Sequence, residues 1–268
     1  MTPRSAGAAA GVLLAALSAA CAPRGLALPA GDGQAFPDFS PAFVQATAGC
    51  RAVRTLSAEL AITGRVGGGN LRGRATVGLA APGRIRLEGI APFGPPVFVL
   101  VADGASAMLL LPRDNRVVRD TSPAAILEAL VGIELGPDEL LAILAGCVAP
   151  DPQATGAHRF SGGWARVDLA SGGAVFLQQD RQQAWRLRAG VRPRMTVEYD
   201  LGAGPVPAVA RVRFDPDGAT AAGLRIAVAQ ADINVPLGAD VFAVKVPPDA
   251  RAMSVTELRN AGPLGAKR

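Results

Sequence analysis

The sequence predicts a mainly β protein in which one antiparallel sheet closes its apolar face as a barrel or a strongly curled sheet. Apolar and polar residues alternate with period two in about ten segments from Leu56 onward, a pattern of strands with one buried face. Short connections between these segments favour antiparallel neighbours. Two stretches, 91–96 and 122–146, interrupt the alternation, and we expect function to lie there.

The first 21 residues have the pattern of a secretion signal that ends at a lipid-accepting cysteine. Arg4 precedes an uncharged run that leads to Ala19-Ala20-Cys21. The run has about 15 residues, which is fewer than the roughly 20 that span a bilayer as a helix. We expect 1–20 to be a signal peptide and Cys21 to be acylated. The alternative is ordinary cleavage after small side chains, which leaves a soluble secreted protein.

The remaining chain is predicted to contain one folded domain, at 42–260, between two less regular segments. Residues 21–41 are expected to form a flexible tether, because Gly, Pro, Asp and Phe follow one another without periodicity between Pro29 and Pro41. Residues 261–268 are expected to be a tail. Half of the residues are apolar (50%), which suffices for one substantial core.

The best-defined strand begins at Leu56 and is followed by a predicted hairpin turn at Gly67-Gly68-Gly69-Asn70. Alternation resumes after the turn, from Leu71 to Leu79. Further strands are predicted around 85–87, 167–169, 175–177, 187–191, 195–199, 210–214 and 224–228. The runs 97–101 and 108–111 are apolar on both faces, so each needs cover on both sides.

The two interruptions are a proline-rich turn and a pair of short helices. The turn, at 91–96, places Phe93 at its tip between Pro92 and Gly94. Ser122-Pro123 predicts the start of a helix that ends at Gly132, and a second helix is predicted to follow Gly136-Pro137 and end at Gly146. The helices are placed to cover a barrel mouth as a lid, and packing outside the sheet is the alternative.

The composition argues against several function classes. Lys+Arg number 27 against 22 Asp+Glu, and the excess is dispersed along the chain, so no basic run with aromatic residues predicts a nucleic-acid site. His158 is the single histidine, and no G-x-S-x-G, H-E-x-x-H, Cys-x-x-Cys or phosphate-loop motif occurs. We expect no enzyme, no metal and no cofactor. A hydrolase whose site is assembled in space is the alternative.

The order of these parts resembles the LolA/LolB-like proteins that carry or receive bacterial lipoproteins, and LolB most closely. The resemblance covers about 43–258 and rests on the cysteine at 21, the segment Leu60-Ala61-Ile62-Thr63-Gly64-Arg65, Pro92-Phe93-Gly94, and Leu144-Ala145-Gly146. The tail segments 241–247 and 255–259 are similar to the closing strand and terminal segment of such proteins. The resemblance implies an incomplete β-barrel, or half-barrel, with an N-terminal helix near 43–55 and a two-helix lid.

The same resemblance implies a lipid-anchored, monomeric receptor at the outer membrane, facing the periplasm. Its partners would be acylated lipoproteins or lipids, the membrane, and a periplasmic carrier protein. Phe93 takes the place of a protruding leucine in LolB and would touch the membrane; packing as ordinary core is the alternative. The alternative function is that of a lipid-binding sensor or assembly lipoprotein of the same fold that acts on a partner protein. The expected lid and cavity residues are Ile126, Leu127, Leu130, Leu140, Leu141, Leu144, Trp164 and Trp185, with plain core packing as the alternative for the two tryptophans.

Two cysteines remain once Cys21 is acylated. Cys50 lies in the expected leading helix and Cys147 follows the second lid helix. An oxidising compartment favours a disulfide between them. The alternative is two buried free thiols.

Overall fold

The computed structural model describes residues 25–215 and 222–261. The predicted signal peptide, Cys21 and the tail from 262 onward lie outside these ranges. The helices are α1 (Ser40–Arg51), α2 (Pro123–Val131), α3 (Pro137–Ala145) and α4 (Val255–Asn260). The strands are β1 (Gln34–Ala35), β2 (Thr55–Val66), β3 (Gly69–Ala80), β4 (Arg84–Ile90), β5 (Val99–Asp103), β6 (Ser106–Leu111), β7 (Arg116–Thr121), β8 (Ala154–Phe160), β9 (Trp164–Leu169), β10 (Ala174–Gln179), β11 (Trp185–Arg192), β12 (Met195–Asp200), β13 (Val209–Phe214), β14 (Ala222–Ile233) and β15 (Arg251–Ala252).

All of the described strands belong to one open sheet. Their order is β1-β8-β9-β10-β11-β12-β13-β14-β2-β3-β4-β5-β6-β7-β15. Neighbours are antiparallel except β15, which runs parallel to β7. The predicted mainly β, antiparallel class is therefore confirmed, and each strand predicted from alternation lies in an observed strand.

The hairpin between β2 and β3 shows why the alternation succeeds as a predictor. Leu56, Ala58 and Leu60 are buried, while the residues between them are only partly covered. The turn needs two residues with positive φ, and Gly67 and Gly68 provide φ values of 53° and 83°. The twelve-residue strands pair along their whole length as a result.

Helices α1, α2 and α3 pack on one face of the sheet, which we call the inner face. The Oγ of Ser122 accepts a hydrogen bond from the Ala125 amide (3.2 Å) and begins α2, and Gly132 ends it with φ 69°. Gly146 ends α3 in the same way, with φ 97°. The two helices begin and end where the sequence predicts. Helix α1 runs from Ser40 to Arg51, several residues earlier than the resemblance implies, because Pro41 suits its first turn.

The opposite, outer face of β5–β7 is covered by the C-terminal segment. Val99, Val101, Leu110 and Val117 are buried there, and Val244, Val246 and Ala250 pack against them. This cover explains why 97–101 and 108–111 are apolar on both faces. The closing strand expected at 241–247 is wrong: Arg86 Nη1 donates to the carbonyls of Val241 (3.0 Å) and Ala243 (2.8 Å), so a side chain takes up carbonyls that a strand would pair with backbone amides.

The segment before α1 also lies against the sheet. Gln34 and Ala35 pair with β8, and Phe36 is buried with its ring centroid 6.0 Å from that of Trp185. The Arg159 guanidinium stacks 3.8 Å from the centre of the Phe36 ring. Residues 26–36 therefore contact the sheet, whereas the sequence predicts a flexible tether over 21–41.

Candidate functional site

Two adjacent apolar cavities lie between the helices and the inner face of the sheet. The smaller has a volume of about 70 Å³ and the larger about 260 Å³. They adjoin along four shared lining residues, Ile62, Leu87, Leu127 and Val131, and we call the pair the channel; its lining extends from α3 to the turn after β4. The smaller cavity is lined by aliphatic residues throughout, namely Leu60, Ile62, Leu87, Leu127, Val131, Ile133, Leu135, Leu140, Ile143, Val212, Leu224 and Ile226.

The wider end of this channel lies where β4 stops. The pairing of β3 with β4 ends at Arg74 and Ile90, so residues 69–73 of β3 extend past the end of β4. Pro92, Val97 and Phe98 of the following turn complete the lining; Arg72 and Arg74 border the cavity along β3, while alternation directs their side chains to the opposite face of the sheet. Such a site contacts alkyl groups without providing an acid, a base or a nucleophile at its centre.

Helix α2 brings part of the predicted set to the channel. Leu127 and Leu130 line it from α2, and Leu140 lines it from α3. Ile126 and Leu144 are 0% and 1% exposed and belong to the core beside it. Leu141 borders a different groove, next to Cys50 and Cys147. Successive helical residues point about 100° apart, so neighbours in sequence face different surroundings.

Neither tryptophan expected in the cavity lines it. Trp164 is on the outer face and packs with Leu26, Leu28 and Phe176. Trp185 is buried among the inner core residues, where it contacts Phe36. Alternation along β9 explains the first case, because Ala165 faces the inner core and places Trp164 on the opposite side.

The sequence pattern does not single out several of the lining residues as site residues. Ile62 and Leu87 stand on the apolar faces of their strands, and Val131 lies on the apolar side of α2. Their pattern marks them as buried, yet burial alone does not separate a cavity wall from a filled core. Telling the two apart requires the positions of α2 and α3 on the sheet, which the sequence pattern does not give.

Phe93 protrudes from the turn beside the wide end of the channel. It is 89% exposed, the largest value among the exposed large apolar residues, and Ile90 nearby is 38% exposed. The turn is held by its prolines, by Gly94 at φ 79°, and by a hydrogen bond from Arg113 Nη2 to the Phe93 carbonyl (2.7 Å). An exposed aromatic on a restrained turn is typical of a contact surface.

The structure joins Cys50 to Cys147 by a disulfide, with the two Cα atoms 5.6 Å apart. The bond ties α1 to the second residue after the end of α3. The buried Tyr199 hydroxyl donates to the Cys147 carbonyl (2.7 Å), and burial raises the pKa of Tyr199 far above its ordinary value. Arg192 donates to the Val148 carbonyl (3.0 Å) and to Glu139 (2.8 Å), so polar contacts hold α3 at its first turn and just beyond its C-terminal end.

The single histidine of the chain is His158. Its Nε2 lies 3.9 Å from the Asp168 carboxylate at a partly exposed position. Residues 25–215 and 222–261 hold no cluster of three or more His, Cys, Asp or Glu side chains able to bind a metal ion. No helix within these ranges has the length and apolar character needed to cross a membrane.

Comparisons with known proteins support the fold. No protein-family model and no curated protein matches the chain. Among solved structures, a LolA superfamily protein from Nitrosomonas europaea is similar at a TM-score of 0.51 and 10% identity, covering 76% of this chain and 97% of that one. A putative outer membrane lipoprotein-sorting protein domain from Vibrio parahaemolyticus has a TM-score of 0.46 and 9% identity, covering 75% and 94%. The first similarity shows that the chain shares its fold, a large open antiparallel sheet with few helices, with a LolA superfamily protein.

Proposed function

We propose that this chain binds the acyl chains of lipids or lipoproteins in the inner-face channel and passes them to the outer membrane as a lipid-anchored receptor. The observation that carries the proposal is the aliphatic channel between α2, α3 and the sheet, which ends beside the exposed Phe93. The fold shared with a LolA superfamily protein supports it. In this proposal the sheet acts as a half-barrel and the two helices act as its lid.

The channel suits alkyl chains on energetic grounds. Each methylene group transferred from water to an apolar site contributes about 0.8 kcal/mol. A volume of about 260 Å³ in the larger cavity is at the low end for ligand sites, so bound chains extend it by displacing side chains of α2. Binding of this kind requires no catalytic group, and we propose binding without catalysis.

Movement of the lid involves the C-terminal helix as well. Helix α4 packs on α2, and ion pairs join Arg259 to Glu128 (3.0 Å) and Arg116 to Glu257 (2.9 Å). All four side chains are at least partly exposed, so these pairs are weak and allow α2 to separate from the sheet. Acyl chains would then occupy the surface that Leu127 and Leu130 cover.

Filling the channel is expected to weaken acyl binding. Val131 lines both cavities and is only partly buried, so Val131→Phe adds bulk at their junction. Exclusion of two methylene groups corresponds to about a tenfold loss of affinity. Titration with a fluorescent fatty acid, together with native mass spectrometry of copurified acyl species, measures this.

The matched control is Val44→Phe, the same exchange at a residue that is 56% exposed on α1. It is expected to bind the probe like the wild type. Equal affinity of Val131→Phe and the wild type would contradict the assignment of the channel as the acyl site.

The lipid anchor is a separate expectation. Small residues before Cys21 predict acylation of its thiol after removal of 1–20. The intact mass of the protein from its native membrane is expected to correspond to a chain that begins at an acylated Cys21. Cys21→Ala is expected to lose the lipid mass and to leave the membrane fraction. A wild-type chain that begins elsewhere, or begins at unmodified Cys21, would contradict the prediction.

A further inference from the structure

The outer face of the sheet carries a group of six arginines on four adjacent strands. We call this the basic face: Arg65, Arg72, Arg74, Arg211, Arg213 and Arg225, from β2, β3, β13 and β14. Their sequence neighbours Val66, Ala75, Val212 and Leu224 belong to the inner core, so alternation directs the arginines outward.

The strand register places Arg211 and Arg225 face to face and Arg72 in the same cross-strand row. Arg211 stands directly opposite Arg225, Arg225 opposite Thr63, and Thr63 opposite Arg72. Like charges that face each other across antiparallel strands are destabilising. The stability of the sheet therefore gives no reason for the Arg211–Arg225 pair, whereas an anionic partner does.

Acidic side chains balance only part of the basic face. Arg211 pairs with Asp200 (2.7 Å), and this hydrogen bond holds the pKa of the Asp200 carboxyl below its ordinary value. Arg74 pairs with Glu59 (3.1 Å), and Arg213 lies 3.6 Å from Glu198. Arg65, Arg72 and Arg225 are exposed and form no ion pair within the described ranges.

The N-terminal segment crosses the outer face and reaches the basic face at Gly25. Leu26 and Leu28 pack on the outer side of β9–β11, and the Leu26 amide donates to Glu198 (3.0 Å). Gly25 borders the same surface groove as Glu198, Arg211, Arg213 and Arg225. Three residues lie between Cys21 and Gly25, so the two Cα atoms are at most about 14 Å apart when this segment is fully extended. A lipid on Cys21 thus keeps this groove within about 14 Å of the bilayer surface.

Exposed apolar side chains lie at the same end of the sheet. Ile90 stands opposite Arg74 in the register of β3 and β4, and Phe93 follows three residues later. Apolar side chains that enter an interface, surrounded by arginines that bind headgroups, form a common membrane-contacting arrangement.

We infer that the basic face is a docking surface for the anionic phospholipid bilayer, whose phosphate headgroups pair with Arg65, Arg72 and Arg225. The unpaired arginines belong to the sheet and do not depend on the proposed function. Only the orientation of the protein at the bilayer depends on the proposed anchor at Cys21. Arg65 and Arg72 lie beside the turn between β2 and β3, so docking in this way brings that end of the sheet, where the wide end of the channel and Phe93 also lie, close to the membrane.

The test uses the chain from residue 22 onward, which keeps every described residue and carries no lipid. Cosedimentation with phosphatidylcholine vesicles that contain 0% or about 30% phosphatidylglycerol measures partitioning, at low and high salt. We expect binding that requires phosphatidylglycerol and falls with salt. R65Q/R72Q/R225Q is expected to bind at least about tenfold more weakly, because each arginine near an anionic surface contributes to the attraction.

The matched control is R119Q/R181Q/R251Q, which removes the same charge from exposed arginines elsewhere in the chain. It is expected to bind within about twofold of the wild type, a loss well below that of three direct surface contacts. Unfolding midpoints of both variants establish that they fold. The inference is overturned if R65Q/R72Q/R225Q binds the vesicles like the wild type, or if the control variant loses as much binding as R65Q/R72Q/R225Q. It is also overturned if binding does not depend on phosphatidylglycerol. None of these results bears on acyl binding in the channel or on acylation of Cys21, which are measured separately.

Discussion

Removal of the Cys50–Cys147 disulfide is expected to lower the free energy of unfolding by about 4 to 5 kcal/mol. The bond spans 97 residues, and it restricts the unfolded chain by closing this long loop. Cys50→Ala/Cys147→Ala in the chain from residue 22 onward, measured by denaturant unfolding, tests this value. Alanine is preferred to serine because Cys147 is 1% exposed and a buried hydroxyl adds its own cost.

A reductant provides the control for this measurement. Dithiothreitol is expected to shift the unfolding midpoint of the wild type to about that of the double variant and to leave the double variant unchanged. If the unfolding midpoint of the wild type is the same with and without the reductant, and alkylation shows that both thiols are free, then the bond does not form in solution.

The strands could be predicted because each has one covered face. Leu56, Ala58 and Leu60 alternate with partly covered positions, and the observed register of β2 keeps these three on the inner face. The helix boundaries could also be predicted, because Ser122 and Gly132 act through local hydrogen bonds and backbone conformation. Such signals depend on a few neighbouring residues and need no knowledge of the tertiary structure.

Segments without periodicity were predicted less well. Residues 26–36 have the composition of a tether, but Phe36 finds a pocket between Trp185 and Arg159, about 120 to 150 residues away in sequence. Residues 241–247 were expected to form a closing strand from the family resemblance, but the carbonyls of Val241 and Ala243 accept hydrogen bonds from Arg86 in place of a neighbouring strand. Both outcomes depend on distant partners that a local pattern does not identify.

The candidate site divides in the same way. Leu127, Leu130 and Leu140 could be selected because helical spacing marks an apolar side. Which buried side chains border an unfilled volume depends on how α2 and α3 sit on the sheet. For this reason Ile126 and Leu144 entered the predicted set, and Ile62 and Leu87 did not.

Phe93→Glu is expected to abolish most transfer of acylated cargo into liposomes while leaving stability almost unchanged. The side chain is 89% exposed, so a charge there meets water in the free protein. At the membrane the same charge opposes entry of the turn into the interface and is repelled by anionic headgroups. The rate of transfer, followed with a fluorescent lipopeptide and acceptor liposomes, measures the effect, and a thermal melt measures the stability.

Val44→Glu is the matched control, since Val44 is the next most exposed large apolar residue, at 56%, and lies on α1 away from the turn. It is expected to transfer cargo at the wild-type rate. The melting temperature and the transfer rate together distinguish core packing of Phe93 from membrane contact. A large drop in melting temperature would identify it as core, and undiminished transfer with an unchanged melt would remove its proposed contact with the membrane. Loss of transfer with an intact fold and intact binding of the fatty-acid probe would place the defect at delivery, because the channel beside the turn would still be loaded.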